Sequence, residues 1–535
     1  MAEKLILKEL SRYGLGTYAD VMYRNALLYP AAEAFVYDDR RITFSEYNSR
    51  VNSLIHALRA AGLKKGDGIG IVSWNCLEVT DITGAAMKGG FVVSPFNPRM
   101  QPDELVAIVN YSEAKALFVG KELVETIDRL RPRLPAVEHF VSLECRAPGM
   151  TEYGELLRTF SVDEPDVQVS EDDPFIIFYT SGTTGAPRGA VYTHLKRTQE
   201  AQTKAFGMGL SSGCTNVMVL PLFHIGGWSY FWTFFYVGAR NVIISKRFFD
   251  AEATLKAVQD EKATDIQIVP TQLVAMLGLE SIDSLNLSKL QRILYAASPM
   301  PVELLRRGMA RFGPIFTQLY GQSESGPDIA FLSKEAHQVL DKSAEEQKVL
   351  ASCGLPHLGV HARIVNDANE DVEPGVVGEI VVQSKSMMAG YWRKPEDTAS
   401  VMAGGWLHTG DMGYYDEKGF MYLVDRRKDM IITGGENVFP REVEEVLYGH
   451  PAVSEAAVVG VPDDVWVERV HAEVVLREGQ AATTADLIDY CKDRLARYKA
   501  PKSMEIVKAL PKNPQGKILK REIRQKYWQG KDRKI

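Results

Sequence analysis

A chain of 535 residues exceeds one ordinary core, so it divides into more than one domain. Its 45% apolar and 24% charged residues exclude a disordered or collagen-like polymer, and a net charge of −7 gives no support to a nucleic-acid partner. Cys76, Cys145, Cys214, Cys353 and Cys491 stand singly with no CxxC pair, which argues against a disulfide framework or a zinc site and fits a reducing compartment. The opening MAEKLILKELSRYG mixes charges into its apolar residues and lacks a signal-peptide core. GGWSYFWTFFYVGA, 14 residues, is too short to cross a bilayer, and no SKL-type address ends the chain. The expected location is cytoplasmic, without stable membrane insertion. The oligomeric state stays open, a homodimer included.

In chain order, FIIFYT, NVMVLP, NVIIS, DIQIVP and ILYAAS are apolar runs short enough to be buried strands. Helical patterns such as AEATLKAVQDE and VELLRRGMARF alternate with them, and FTQLYG follows. This strand–helix repetition predicts a mostly parallel sheet covered by helices, with ligand loops at the carboxyl ends of the strands. After about residue 425 the texture changes. PREVEEVL predicts a helix opened by proline, VSEAAVVGV and VHAEVVL predict strands, and TADLIDYCKDRLARY predicts a helix capped by Thr483 or Thr484. Leu487, Ile488, Cys491 and Leu495 share one face of it. The expected architecture is α/β: a large N-terminal domain over 1–425 and a small, mobile C-terminal α+β domain over 426–535, with the boundary in DRRKDMI.

YTSGTTGAPRGA, where the first strand ends, is the first chemical signal. Ser181, Thr183 and Thr184 offer hydroxyl donors, Gly182, Gly185 and Gly189 let the backbone approach a ligand, and Arg188 adds a full charge. Together they suit an anion, although the spacing is not that of the GxxxxGK[ST] nucleotide loop. This segment resembles the phosphate loop of the adenylate-forming superfamily, which contains acyl-CoA synthetases, firefly luciferases and adenylation domains. PLFHIGG, YAASPMP, LYGQSESG, the long stretch GWLHTGDMGYYDEKGFMYLVDRRKDMIITGGENVFPREVEEVL, and PKNPQGKILKREI resemble five further motifs of that superfamily, in its order and across essentially the whole chain.

The resemblance implies a set of residue roles. ATP and AMP would be held by Thr180, Ser181, Gly182, Thr183, Thr184, Gly185 and Arg188, by Ala297, Ser298 and Pro299 beside adenine, and by Tyr320, Gly321 and Gln322. Asp411 would accept hydrogen bonds from both ribose hydroxyls, with Arg426 approaching the same sugar. Lys517 would lie over the bridging oxygen between carboxylate and α-phosphate. Ser323, in place of the usual threonine, would meet the α-phosphate, and Glu324 would hold Mg²⁺. His224, Trp228, Tyr230 and Leu319 would line the acyl pocket. Gly434, Gly435 and Glu436 would face the CoA tunnel, and Lys428 would be the hinge. Arg188 stands where the superfamily commonly has lysine, so a planar fork replaces a point charge.

The implied reaction is AMP-forming acyl-CoA synthesis: ATP and a carboxylic acid give acyl-AMP and pyrophosphate, and CoA then gives acyl-CoA and AMP. Departures such as Leu319 in LYG point to a hydrophobic acid that is short- or medium-chain, branched, alicyclic or aromatic. A long-chain fatty acid–CoA ligase and an enzyme loading an acyl group onto a carrier protein are the alternatives. Amino-acid-loading domains usually place aspartate at the position of Ile225, where an apolar residue leaves a substrate ammonium unpaired. A luciferase-type oxidoreductase has no specific support here. A catalytically silent homologue is disfavoured by the intact Lys517, Asp411 and Glu324.

Overall fold

The computed structural model describes residues 16–180, 188–244, 248–298, 300–426, 429–433, 436–463, 465–512 and 518–529. Two large mixed sheets carry most of the chain. In the nine-stranded sheet, Phe316–Gln322, Arg292–Tyr295, Asp265–Ile268, Thr215–Met218, Arg240–Ile243 and Glu33–Tyr37 run parallel. Antiparallel strands close both edges: Gly326–Leu332 followed by the short Leu355–Pro356 at one, and Arg40–Thr43 at the other. In the eight-stranded sheet, Pro174–Thr180, Val92–Phe96, Gly68–Val72, Ala114–Val119 and His139–Ser142 are parallel, and Arg188–Thr193 returns antiparallel to Pro174–Thr180. The apolar runs that mark strands in the sequence are those covered on both faces, so no polar alternation interrupts them.

Helices Phe44–Ala60, Leu77–Gly89 and Ile225–Tyr236 contribute to one large core with Tyr18, Phe35, Phe175 and Phe178. Every residue of Leu77–Gly89 is buried. Its Glu78 is charge-paired with Arg40 at 2.8 Å and its Asp81 with Arg50 at 2.5 Å, the usual condition for carboxylates so deep in a protein. The aromatic run GGWSYFWTFF forms most of Ile225–Tyr236. Trp228, Phe231, Trp232 and Phe235 enter the large core, while Tyr230 and Phe234 pack with Leu294 and Leu319 in a smaller cluster.

A third, antiparallel sheet, absent from the sequence-based expectation, is built from Val360–Val365, Gly378–Ser384, Trp406–Tyr415, Met402–Ala403 and Met421–Arg426. A fourth carries the C-terminal part: Glu436–Val438, Ile431–Thr433, Val467–Leu476 and Val453–Asp463, with Ser503–Ile506 parallel to Val467–Leu476. Helices Pro440–Tyr448, Thr484–Lys492 and Lys520–Tyr527 cover it. Thr483 is the cap of the second, accepting from Asp486 N at 3.2 Å while Asp486 accepts from Thr483. That helix ends at Lys492 and does not run on to Tyr498, because the chain must turn back toward the strand at Ser503. Among the described residues no helix is long and apolar enough to cross a membrane.

Candidate active site

Parallel strands deliver their carboxyl ends to one edge of the nine-stranded sheet, and the expected nucleotide residues emerge there. Arg292–Tyr295 leads to Ala297 and Ser298, with Ala297 held at φ +69. That left-handed backbone is uncommon for a residue with a Cβ and costs of order 1–2 kcal/mol. Phe316–Gln322 leads into a tight turn, Ser323–Ser325, before Gly326–Leu332 returns. A Cβ at Gly321 would lie 2.5 Å from Gly326 O and 2.4 Å from Pro327 C, so only glycine lets the two strands close here.

Asp411 is the hub of the site. It lies on Trp406–Tyr415 directly opposite Arg426 in the antiparallel ladder. Its Oδ2 accepts from Tyr320 Oη at 2.8 Å and from Gln322 Nε2 at 2.7 Å, and Arg426 Nε stands 3.1 Å from Oδ1. Gln322 Nε2 also donates to Thr409 O, and Thr409 Oγ1 accepts from Asp411 N. Burial, reinforced by the Asp411 carboxylate, pushes the Tyr320 phenol well above its ordinary pKa, so it stays a donor. Asp411 is buried while Arg426 keeps 40% of its side chain exposed, so the pair presents one open, charged flank.

Glu324 and Arg188 form a second group, joined by residues that the sequence reading passed over. Tyr391 Oη donates to Glu324 Oε1 at 2.9 Å, and the Arg188 guanidinium carbon lies 5.4 Å from the Tyr391 ring centroid. Arg188 Nε donates to Asp397 Oδ2 at 3.0 Å. Met388 N donates to Glu324 O, fixing the turn from the same segment. Tyr192 is a further missed residue: its hydroxyl donates to Ser323 O and accepts from Gly326 N at 3.1 Å. The stretch GYWRKPEDT held a signal, an aromatic after glycine and an acidic first turn in a proline-opened helix, but not one tied to any ligand.

The other expected residues are placed as follows. Thr180 pairs with Arg188 across the ladder, so the two ends of the phosphate loop lie side by side. The loop residues Ser181, Gly182, Thr183, Thr184 and Gly185 lie outside the described residues, as do Pro299, Lys428, Gly434, Gly435 and Lys517. Glu436 is exposed at the start of Glu436–Val438. His224 is half-buried and caps Ile225–Tyr236, its Nδ1 accepting from Gly226 N at 3.3 Å. Trp228 is enclosed by Tyr18, Phe175, Phe178 and Trp232, while Tyr230 and Leu319 meet in the smaller cluster.

The C-terminal part grips the boundary strand Met421–Arg426. Asp425 accepts from Arg441 N at 3.1 Å, and Arg441 Nη1 donates to Leu423 O at 2.9 Å. Lys520 pairs with Glu444 at 2.8 Å and Arg524 with Asp429 at 2.8 Å. Asp425 thus faces the small sheet's helices while its neighbour Arg426 faces Asp411.

Comparison with known proteins identifies the family of the chain. The AMP-binding enzyme family matches residues 22–392 and its C-terminal domain matches 442–517. The chain belongs to the adenylate-forming AMP-binding enzymes. Among these AMP-binding enzymes, the chain is 35% identical over 518 residues to a feruloyl-CoA synthase of an Amycolatopsis species, covering 96% of this chain and 99% of that one. It is 32% identical over 511 residues to the fatty acid–acyl-carrier-protein ligase ScoC of Streptomyces coeruleorubidus, covering 95% of each. The solved structure of the anthranilate CoA ligase AuaEII with anthranoyl-AMP matches at a TM-score of 0.88 and 26% identity, over 97% of this chain and 98% of that one. As an AMP-binding enzyme of this kind the chain is an AMP-forming acid–CoA ligase, and ATP and CoA fit it as co-substrates.

Proposed function

We propose that this ligase activates a carboxylic acid with a bulky, mainly apolar body, short- to medium-chain, branched, alicyclic or aromatic, and transfers it to CoA by alternation of its two parts. The observation that carries the reading is the Asp411 hub, with Tyr320 and Gln322 on one side and Arg426 on the other, beside the Arg188–Tyr391–Glu324 group. In the first step a carboxylate oxygen attacks the α-phosphorus, the bond to pyrophosphate breaks, and a mixed anhydride forms. In the second the CoA sulfur attacks the acyl carbonyl, its proton is released, and AMP leaves.

Both reactants of the first step are anions, so the protein's task is to hold them together and neutralise their charge. Asp411 and Arg426 orient the ribose, and Tyr320 and Gln322 fix Asp411. Arg188, held by Asp397, receives the β- and γ-phosphates, Ser323 meets the α-phosphate, and Lys517 offsets the charge on the bridging oxygen. Glu324 would hold Mg²⁺, which supplies further neutralisation at the phosphates; one half-buried carboxylate suits an ion whose shell is completed by phosphate oxygens and water. The rotation brings Gly434, Gly435 and Glu436 to the CoA tunnel about a hinge at Lys428.

Pyrophosphate release with a panel of carboxylic acids, with and without CoA, tests this. The expected result is CoA-dependent discharge of an acyl-AMP. Acyl-AMP that CoA never discharges but an acyl-carrier protein does would replace CoA by the carrier, the acceptor named for ScoC.

Arg188→Ala is expected to raise the KM for ATP about ten- to a hundredfold, the equivalent of one charge-assisted hydrogen bond of about 1.5–3 kcal/mol. The KM for the acid should stay within about twofold of the unmodified enzyme. Asp397→Ala should shift the KM for ATP in the same direction by less, because Asp397 positions the guanidinium and does not replace it. An unchanged KM for ATP in Arg188→Ala would refute the clamp.

A further inference from the structure

Two helices at the boundary between the parts lack a cap of their own. Val302–Phe312 starts after Pro301 and Pro440–Tyr448 after Phe439, and neither of these residues has a side chain that accepts a hydrogen bond. Each helix is served by a carboxylate from the other part of the chain. Asp425, on Met421–Arg426, accepts from Arg441 N in the first turn of Pro440–Tyr448 at 3.1 Å. Glu445 of that helix faces the first turn of Val302–Phe312 in return. Burial raises its carboxyl, while Arg441 and a hydrogen bond from the Val302 backbone oppose the rise. A carboxylate in such a place meets unpaired N–H groups and the positive end of the helix dipole. Arg441 joins the two contacts. Its Nη1 donates to Leu423 O at 2.9 Å across the boundary, and its Nε stands 3.9 Å from Glu445 Oε1. With 14% of its side chain exposed, it is little screened by solvent.

These contacts attach the small part to both nucleotide-binding stretches. Leu423 and Asp425 precede Arg426, which faces Asp411. Val302 lies four residues beyond Ser298, in the segment expected beside adenine. Lys520, three residues beyond Lys517, reaches the same Asp425 at 3.8 Å and Glu444 at 2.8 Å. Glu436, assigned to the CoA side, is exposed. The residues that follow Lys517 are thus held to the strand of the ribose hub. A rotation about Lys428 would carry Arg441 and Glu445 away from Leu423, Asp425 and Val302.

We propose that Asp425, Arg441 and Glu445 form a reciprocal capping clasp that holds the small part in the adenylating arrangement and opens before CoA is used. The three are positioning residues, acting through Lys517 and Arg426. The proposal rests on the ligase reading above and deepens it: the strength of the clasp sets how the enzyme divides its time between the two half-reactions. Only contacts made in one state and not the other shift such an equilibrium. One charge-assisted hydrogen bond of that kind is equivalent to a shift of about tenfold.

The two half-reactions of the full chain, measured separately, test it. Arg441→Ala and Glu445→Gln should each slow acid-dependent ATP–pyrophosphate exchange about three- to tenfold, while thioester formation from supplied acyl-AMP and CoA holds or rises. Arg441→Lys, which keeps a donor for Leu423 O, should recover most of the lost rate. Amide hydrogen exchange gives a readout independent of activity. Arg441→Ala should quicken it about tenfold in Val302–Leu305, in the other part of the chain, and leave the buried strand Asp265–Ile268 unchanged. Equal slowing of both half-reactions, or unaltered amide exchange in Val302–Leu305, overturns the clasp and leaves the ligase reading intact. Absence of pyrophosphate exchange by the unmodified enzyme with every acid of the panel overturns the ligase reading, and amide exchange then decides the clasp alone.

Discussion

Lys517→Ala is expected to lower the rate of acid adenylation by about a hundred- to a thousandfold, while thioester formation from supplied acyl-AMP falls by less than about tenfold. The asymmetry follows from charge. In adenylation the acid's negative charge approaches an α-phosphate that is itself negative, and a cation over the bridging oxygen is worth most at that moment. Lysine suits the role because it places a compact charge at the end of a flexible stem. In thioester formation the electrophile is a neutral carbonyl, and the need for that cation is gone. Lys512 and Ile518 bridge one another, and the half-buried Lys520 lies between Glu444 and Asp425. The substitution can therefore be compared with Lys520→Ala, which should lower the melting temperature by removing a partner from two carboxylates. Acyl-AMP formation and consumption, followed separately by pyrophosphate exchange and by thioester yield, decide the matter. Equal loss of both half-reactions in Lys517→Ala would make its role structural.

What was legible in the sequence divides along physical lines. Strands such as Asp265–Ile268 and Arg292–Tyr295 are covered on both sides, so their apolar runs are uninterrupted and visible. The antiparallel sheet of Val360–Val365, Gly378–Ser384 and Trp406–Tyr415 escaped notice because its strands are half-exposed and polar residues dilute the alternation. Within the site, Asp411, Arg426, Tyr320 and Gln322 were legible one by one through motif resemblance, and the fold brings them into one hydrogen-bonded hub. Tyr391, Asp397 and Tyr192 were not, since their roles arise from contacts with Glu324, Arg188 and Ser323, residues 67, 209 and 131 positions away. The charged row Arg197, Glu200 and Lys204 on His194–Met208 belongs to no motif that marks it in the sequence. Only packing against Ser229 and Asp328 reveals it as buried.

Asp411→Asn is the second large effect, and it separates a binding role from a structural one. The carboxylate collects Tyr320 and Gln322 on one oxygen and Arg426 on the other. An amide keeps the shape but turns one acceptor into a donor, so Tyr320 and Gln322 or Arg426 must face an N–H. Each buried donor left without an acceptor costs about 1–3 kcal/mol, and the melting temperature should fall accordingly. Arg426 adds less to that loss, because its partly exposed side chain can be rehydrated. Nucleotide use should suffer more: losing charge-assisted hydrogen bonds to two vicinal hydroxyls, at about 1.5 kcal/mol each, predicts a rise of about a hundredfold in the KM for ATP. Stability alone would not show which hydroxyls are read, but deoxynucleotides do. The unmodified enzyme should discriminate about tenfold against 2′-deoxy-ATP and 3′-deoxy-ATP, and Asp411→Asn should lose most of that discrimination. Tyr320→Phe, which removes one neutral donor, should cost only about 1 kcal/mol and keep the preference for the ribose. If Asp411→Asn lowers the melting temperature yet retains full discrimination against both deoxynucleotides, the hub is a brace between two sheets and the sugar is held elsewhere.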